Sequence, residues 1–335
     1  MKLWFEKGAW ASTKAHTIAK ELSPQSVRSI AIIRHAAIGD MMVLRPFLLQ
    51  ARTFFPNATI TLSIVNNYRY GTPVDLVDRV HIVHKKKGDQ KTSFAARWGD
   101  IRALGAHDIV FDMADTALSG LLTLVTLSKL KLGFPYRTIK NHLFYDIGIH
   151  RSDLVPEVET LLQMLYILGA PKFDTIDYGY PLYCTKKERP YIVYFTSASL
   201  GWKWWPTEHF NVLIAQMAAQ YPQYDHIILE GIHPEEKVDG LMKSLSGFTN
   251  VHKQAPLPLE AIIPFLGEST LVVSGDTGIR NMAIAAQAPT LGIFFFTVPY
   301  RYLPIDPRHR AVFNPEGSVP CVEEVALVLK EMIEG

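Results

Sequence analysis

Three short stretches of this 335-residue chain gather residue types that chemistry uses, and each lies where a strand pattern gives way to a helix pattern. The first is Arg34-His35-Ala36-Ala37-Ile38-Gly39-Asp40. Glycine lets a chain turn tightly after a strand. The acid behind it then lands near the start of a helix, at the carboxyl end of the sheet where open α/β sheets bind ligands. Asp40 can simply cap the helix there, as aspartates at helix starts commonly do. His35 reads as a loop histidine.

The second stretch is Trp202-Lys203-Trp204-Trp205-Pro206-Thr207-Glu208, where Pro206, Thr207 and Glu208 mark a helix start. An ammonium in the preceding loop can meet a phosphate; a lysine there can equally be a solvated one beside packed aromatics. Thr196, Ser197 and Ser199 add hydroxyl donors just upstream. The third stretch is Ser274-Gly275-Asp276-Thr277-Gly278, followed by Ile279-Arg280-Asn281-Met282-Ala283. Small residues between a strand and an alanine-rich helix let a ligand approach the backbone, and the helix N-terminus offers N–H groups and a positive dipole end to an anion. It is not a Walker A loop, and no GxGxxG follows the first strand, so ATP hydrolysis and nicotinamide chemistry lose support.

Alternating strand and helix patterns must position these stretches. Strands are expected at 29–34, 59–65, 80–83 and 108–112, with helices at 41–55, 116–129 and 157–168. The pattern lapses over 172–190, the expected linker. It resumes with strands at 191–195, 226–230, 271–274 and 290–296 and helices at 207–220, 234–245, 259–266, 277–287 and 322–333. This βα alternation predicts an α/β protein with mainly parallel sheets. Two domains of similar size, 29–180 and 181–335, would face each other across a cleft, with a last helix able to cross back. Residues 1–28 precede the pattern. They read as an ordered extension, or as an amphipathic helix with Leu3, Trp4, Phe5 and Trp10 among Lys2, Lys7, Lys14 and Lys20.

Composition excludes several classes. Hydrophobic residues at 48% and charged ones at 20% belong to a folded globular chain, and 21 Gly with 21 Pro is too few for a low-complexity one. Cys184 and Cys321 cannot make a disulfide framework or a metal site, and read as packed small hydrophobes in a reducing compartment. No apolar run approaches a membrane span, and the charged start lacks a signal peptide's apolar region, so a cytoplasmic protein is expected. The net charge of +2 conceals an asymmetry. Residues 1–180 hold 22 Lys and Arg against 16 Asp and Glu, net +6, while 181–335 hold 12 against 16, net −4. A basic half suggests an anionic partner.

Taken together, the three stretches resemble glycosyltransferase family 9, the ADP-heptose:lipopolysaccharide heptosyltransferases. That family's patterns are an "R-x-S-S-x-G-D" turn, a "K-x-W-P" element and a "D-T-G-x-x-H-x-A-A" segment. They match here Arg34 to Asp40, Lys203-Trp204-Trp205-Pro206 and Asp276 to Ala283, in order and across roughly 29–330. The resemblance implies a GT-B architecture of two Rossmann-like domains, an acceptor-binding one first and a nucleotide-sugar-binding one second, and inverting transfer without metal or other cofactor. It implies Asp40 as the catalytic base. On the donor side it implies Lys203, Asp276, Thr277 and Gly278, with Thr196, Ser197, Glu230 and Asn281 alongside. On the acceptor side it implies Gly39 and a basic loop of Lys85, Lys86, Lys87, Lys91 and Arg97, a charge run that can also be plain solvated surface. Lys129, Lys131, Arg137 and Lys140 would extend that basic surface. The implied partners are ADP-heptose or another nucleotide sugar, an anionic lipopolysaccharide core and the inner face of the inner membrane, peripherally.

The chain departs from the family pattern at Ala36 and Ala37, where serines are usual, and at Asn281 in place of histidine. Phe295-Phe296-Thr297-Val298-Pro299-Tyr300 also stands where "F-G-P-T-D-P" is usual. These changes keep two rivals open: a GT-B enzyme using another sugar or acceptor, and a glycan- or membrane-binding relative without turnover. Retention of Asp40 and Lys203 counts against the second. A nucleic-acid binder lacks any recognisable motif.

Overall fold

The computed structural model describes residues 1–66, 70–84, 93–135, 143–184, 188–198 and 200–335 (of Phe94, the backbone only). They form two compact units, Met1–Gly179 and Tyr180–Gly335.

The first unit runs β1 (Ala9–Ala11), α1 (Thr13–Glu21), β2 (Ser29–Ile33), α2 (Ile38–Phe54), β3 (Thr59–Val65), β4 (Arg79–Val83) and α3 (Phe94–Ala103). It continues β5 (His107–Asp112), α4 (Ala117–Val125), β6 (Ser128–Gly133), β7 (Ile147–Ile149) and α5 (Glu157–Tyr166). Its seven strands lie in the order β1-β7-β6-β5-β2-β3-β4. β2 shows why the sheet is layered on both faces. Ile30 and Ile32 enter the core that α2 and α5 close with Leu44, Phe47 and Leu161. Ala31 and Ile33, pointing the other way, pack with Ile101 and Leu104 of the α3 segment and Leu122 of α4. A strand buried on both faces is what a parallel sheet requires. From β2 the chain builds outward through β3 and β4, then returns to the other side of β2 and builds β5, β6 and β7. The strand order therefore reverses between β2 and β5, and the loops leaving those two strands are neighbours.

Residues 1–28 belong to this unit: β1 pairs antiparallel with β7, Ala9 opposite Ile149, and Leu3 and Phe5 pack against the main core. Gly71 takes a left-handed φ of +79°, and a Cβ there would strike the side chain of Ile38, the first residue of α2. Only glycine fits where that loop crosses the helix start.

The second unit runs β8 (Tyr191–Phe195), α6 (Thr207–Gln220), β9 (Asp225–Leu229), α7 (Asp239–Ser244), β10 (Val251–Gln254) and α8 (Leu259–Gly267). It continues β11 (Leu271–Gly275), α9 (Gly278–Ala285), β12 (Thr290–Phe294), α10 (Pro299–Tyr302), β13 (His309–Phe313) and α11 (Val322–Glu334). Its six strands are all parallel, ordered β10-β9-β8-β11-β12-β13, so its reversal falls between β8 and β11. α11 packs on α6, β12 and β13 of the same unit.

Several sequence expectations need correction. The helix expected over 116–129 ends at Val125, because Lys129-Leu130-Lys131-Leu132 alternates with the period of a strand and forms β6. The helix expected over 234–245 splits into a 3₁₀ turn, Pro234–Glu236, and α7. The strands β1, β7, β10 and β13 and the helix α3 lie where the sequence pattern gives no element. Cys184 and Cys321 are exposed, not packed; Cys321 sits at the N-cap of α11, outside the core.

Two histidines are buried in the second sheet. His226 Nδ1 lies 2.9 Å from the Tyr194 hydroxyl and His309 Nδ1 lies 3.1 Å from that of Thr290. Burial pulls both imidazoles down to about 4. As pH falls from about 6.5 towards 4, the unfolded chain takes up protons that the folded chain refuses, so folding stability is lost in that window. Urea titrations at pH 7 and pH 5 should show this loss. It should be smaller in the double variant His226→Asn/His309→Asn, compared with its own value at pH 7.

Candidate functional site

In the first unit α2 begins at Ile38, and Ala37 occupies the N-cap position without a side-chain bond. Asp40 is therefore the third helical residue and not the cap, which overturns the capping alternative. Gly39 is an ordinary helical residue, buried at the second position. Asp40 keeps 36% of its side chain exposed, and Oδ1 accepts from Arg34 Nη2 at 3.0 Å. Arg34 itself is only 3% exposed. Its Nη1 donates to the Met113 carbonyl at 2.7 Å, which ties the loop after β2 to the loop after β5 across the reversal. Both of its terminal nitrogens also lie 3.2 Å from Glu157 Oε1. Glu157, buried in the first turn of α5, takes Arg151 Nη2 on Oε1 and Oε2 at 2.5 and 2.6 Å. Two guanidinium groups and two carboxylates thus neutralise one another, and Arg34 fixes where the Asp40 carboxylate points. Sequence reasoning missed Glu157 and Arg151.

Beside them Asp112 ends β5, wholly buried, and accepts from the Tyr145 hydroxyl at 2.8 Å and from the Ala114 and Asp115 N–H groups at 3.0 and 3.4 Å. Burial raises its carboxyl above the usual carboxylate range. These bonds shape the turn that presents the Met113 carbonyl to Arg34. Asp115 in that turn adopts φ of +48°, unusual for a residue with a side chain.

In the second unit, loops leaving β8, β11 and β12 converge on Asp276. Its Oδ2 accepts from Lys203 Nζ at 3.2 Å and from the Thr297 hydroxyl at 3.0 Å. Lys203 is 18% exposed, so it is a held cation and not a solvated loop lysine. Thr277 caps α9, its hydroxyl accepting from the Arg280 N–H at 3.2 Å. Gly278 and Ile279 follow in the first turn, where N–H groups have no carbonyl to meet within the helix. A cation and a helix N-terminus side by side make a place for an anion. Arg280, which sequence reasoning passed over, is buried and bonds the Tyr302 carbonyl at 2.8 Å, anchoring the far end of the loop after β12.

The remaining expected residues are placed less centrally. Thr196 and Ser197 directly follow β8, half-buried and buried. Asn281 is half-buried in α9. Glu230 follows β9 and is engaged by Lys237 Nζ at 2.8 Å, with Lys253 at 3.8 Å; the Lys237 bond lowers its carboxyl below the usual range. Arg97 is half-buried in α3 and lines a cavity of about 260 Å³ with Trp98, Ile101, Leu118 and Leu121. Lys129 is paired with Asp108 at 2.7 Å, and Lys131 Nζ donates to the Leu124 carbonyl at 3.3 Å. Lys85, Lys86, Lys87, Lys91, Arg137, Lys140 and Ser199 lie outside the described residues. Among the described residues, no three His, Cys, Asp or Glu side chains come together to hold a metal ion.

Two Rossmann-like parallel-sheet units, each with charged groups gathered at its strand reversal, define an α/β protein of the GT-B class. The family model of glycosyltransferase family 9 (heptosyltransferase) matches residues 97–331, and the chain belongs to this family, making it a glycosyltransferase. No curated protein matches it. Among solved structures, E. coli heptosyltransferase WaaC with ADP is 21% identical, with a TM-score of 0.71, over 91% of this chain and 99% of that one. E. coli ADP-heptose lps heptosyltransferase II is 16% identical, with a TM-score of 0.69, over 91% and 98%. A family 9 glycosyl transferase from Veillonella parvula is 15% identical, with a TM-score of 0.69, over 93% and 99%. At such identities the likeness speaks for the fold.

The buried network makes a prediction about stability. Glu157→Ala removes a buried carboxylate that answers two largely buried guanidinium groups, and should cost about 3–5 kcal/mol of unfolding free energy. A thermal or urea melt within 1 kcal/mol of the parent would show that the network bears no such load.

Proposed function

We propose that this chain transfers a heptosyl group from ADP-heptose to the inner core of lipopolysaccharide, with inversion at the anomeric carbon. The observation that carries the reading is the Lys203–Asp276 pair at the head of α9, a largely buried cation beside a helix N-terminus. Such a site suits the diphosphate of a nucleotide sugar. A solved relative in complex with ADP-2-deoxy-2-fluoro heptose, 23% identical with a TM-score of 0.71, supports that choice of donor.

In this reading the acceptor hydroxyl attacks the anomeric carbon, the bond from that carbon to the phosphate oxygen breaks, and the hydroxyl proton passes to the Asp40 carboxylate. Arg34 aims that carboxylate. Charge builds on the leaving diphosphate as the bond breaks, so Lys203 and the N–H groups of Gly278 and Ile279 stabilise the transition state more than the bound donor. Asp276 holds the ammonium in place. Thr196, Ser197, Thr277, Glu230 and Asn281 stand on the donor side. The acceptor is drawn by the first unit, where Lys85, Lys86, Lys87, Lys91 and Arg97 follow one another in sequence and Gly39 lies beside the base. Among the described residues no helix is long and apolar enough to cross a membrane. In the same reading the enzyme meets its anionic lipopolysaccharide acceptor peripherally, at the inner face of the inner membrane. The departures at Ala36, Ala37 and the loop after β12 favour, as the second reading, a different sugar or acceptor on the same machinery.

Turnover with ADP-heptose and truncated lipopolysaccharide, against a panel of other nucleotide sugars, tests the reading as a whole. Asp40→Asn should cut turnover about 100-fold or more with donor affinity nearly unchanged; retained activity would place the base elsewhere. Lys203→Ala should weaken ADP binding as well as turnover, and unchanged ADP affinity would remove Lys203 from the donor site. Replacing Lys85, Lys86 and Lys87 together with Gln should raise the acceptor KM and flatten its salt dependence while sparing the donor KM. Equal loss on both substrates, or none, would reject the basic loop as the acceptor's recruiter.

A further inference from the structure

Three tryptophans in four positions do three different things. Trp205 is buried, with Nε1 donating to the Pro320 carbonyl at 2.9 Å and its ring packed edge-on against Phe210. Trp204 is half-buried and bound through Nε1 to the Ala198 carbonyl at 2.6 Å. Trp202 stands 60% exposed. Next to it, from the loop after β12, Phe296 stands 64% exposed. Their ring centroids are 6.0 Å apart and their planes are inclined by 55°, so each keeps most of its surface in water. Lys203 Nζ lies 6.0 Å from the Phe296 centroid. Phe296 thereby brings the ring pair beside Lys203, whose ammonium is bonded to Asp276.

Neither ring is needed to fill the core, and exposing two large aromatics together forgoes the burial that makes such residues useful to a fold. A contiguous exposed apolar surface beside polar groups marks a place where something binds. The neighbouring ammonium narrows what that is. On the reading of this unit as the nucleotide-sugar site, Lys203 meets a phosphate of the donor. Two flat apolar faces occur in such a molecule: the nucleobase, and the C–H face of the glycosyl ring. A ribose always separates the base from the nearest phosphate, whereas the glycosyl ring is bonded to its phosphate directly. The face that fits beside Lys203 is therefore that of the sugar. Its hydroxyls, pointing out around the ring edge, would then meet Asp276 and Thr297. A flat apolar wall with a few convergent polar groups is the usual build of a small-ligand pocket.

We propose that Trp202 and Phe296 form the subsite for the transferred sugar, stacking on the C–H face of the donor's glycosyl ring and discriminating among sugars by that face. The assignment rests on the nucleotide-sugar reading of the second unit and adds to it the part of the donor that the rings touch.

The test uses the full chain and calorimetric titration with ADP-heptose, UDP-glucose and GDP-mannose, each beside its parent nucleoside diphosphate. In Trp202→Ala and in Phe296→Ala the best-bound nucleotide sugar should lose about tenfold in affinity, the scale of one aromatic stacking contact. The parent diphosphate should stay within about twofold. Trp202→Phe, which keeps a ring, should recover most of the loss, and melting temperatures should hold because both side chains are exposed. An equal loss for the diphosphate would mean that the rings serve the base or the phosphates and would overturn the subsite, as would no loss at all. A parent chain that binds none of these compounds overturns the nucleotide reading itself, and is seen before any variant is made.

Discussion

A guanidinium or ammonium drawn out of water must find a carboxylate or carbonyl within hydrogen-bonding reach, because an unanswered buried charge costs several kcal/mol. In both units the cation that faces this demand lies at the strand reversal, and its partner comes from the loop of the adjoining strand. Arg34 reaches from the end of β2 to the Met113 carbonyl behind β5. Lys203 reaches from the loop behind β8 to Asp276 behind β11. In each case the two loops are neighbours in space because the chain left the middle of the sheet and came back to its other side. The reversal supplies the gap, and the cation closes it. Everything that Asp40 or the head of α9 can offer a substrate is positioned by these two closures.

Most of this layout was legible in the sequence because it is made of local signals. Runs such as Ile30 to Ile33 and Leu271 to Val273 are apolar on both faces, which only a covered parallel strand tolerates. The residues after them, Gly39 and Asp40 or Asp276, Thr277 and Gly278, announce turns into helices. α6 begins and ends where the Pro206 signal and its apolar spacing place it. What failed locally failed for a stated reason: β6 follows α4 after only Thr126 and Leu127 and carries lysines in alternate places, so it reads as the tail of the preceding helix until a neighbouring strand is known.

The parts that were not legible depend on partners far along the chain. Nothing near Glu157 says that its carboxylate belongs to Arg34, 123 residues away, since an acid in the first turn of a helix has an ordinary local explanation. Nothing beside Asp276 in the sequence says what its carboxylate holds. The structure has it holding two other loops, through Lys203 and Thr297. The exposure of Trp202, against the burial of Trp205, is likewise invisible in a run of tryptophans.

The departures from the family pattern acquire a meaning from where they fall. Arg34, Asp40, Lys203, Asp276 and Thr277 belong to the paired frame, and this chain keeps every one. Ala36 and Ala37, Asn281 and Phe296 are half-buried or exposed and lie outside it, whereas Thr297, also in a departing stretch, joins it through its bond to Asp276. A member of a buried ion pair cannot change alone without stranding its partner, whereas an exposed lining residue can change at little cost to the fold. Substitution is therefore easy on the surface that a sugar or acceptor would touch and difficult in the charges behind it. On the proposed reading, a chain that keeps the frame keeps the groups that would hold the donor's phosphates and take up the acceptor's proton, and the altered lining is where a change of ligand would be written.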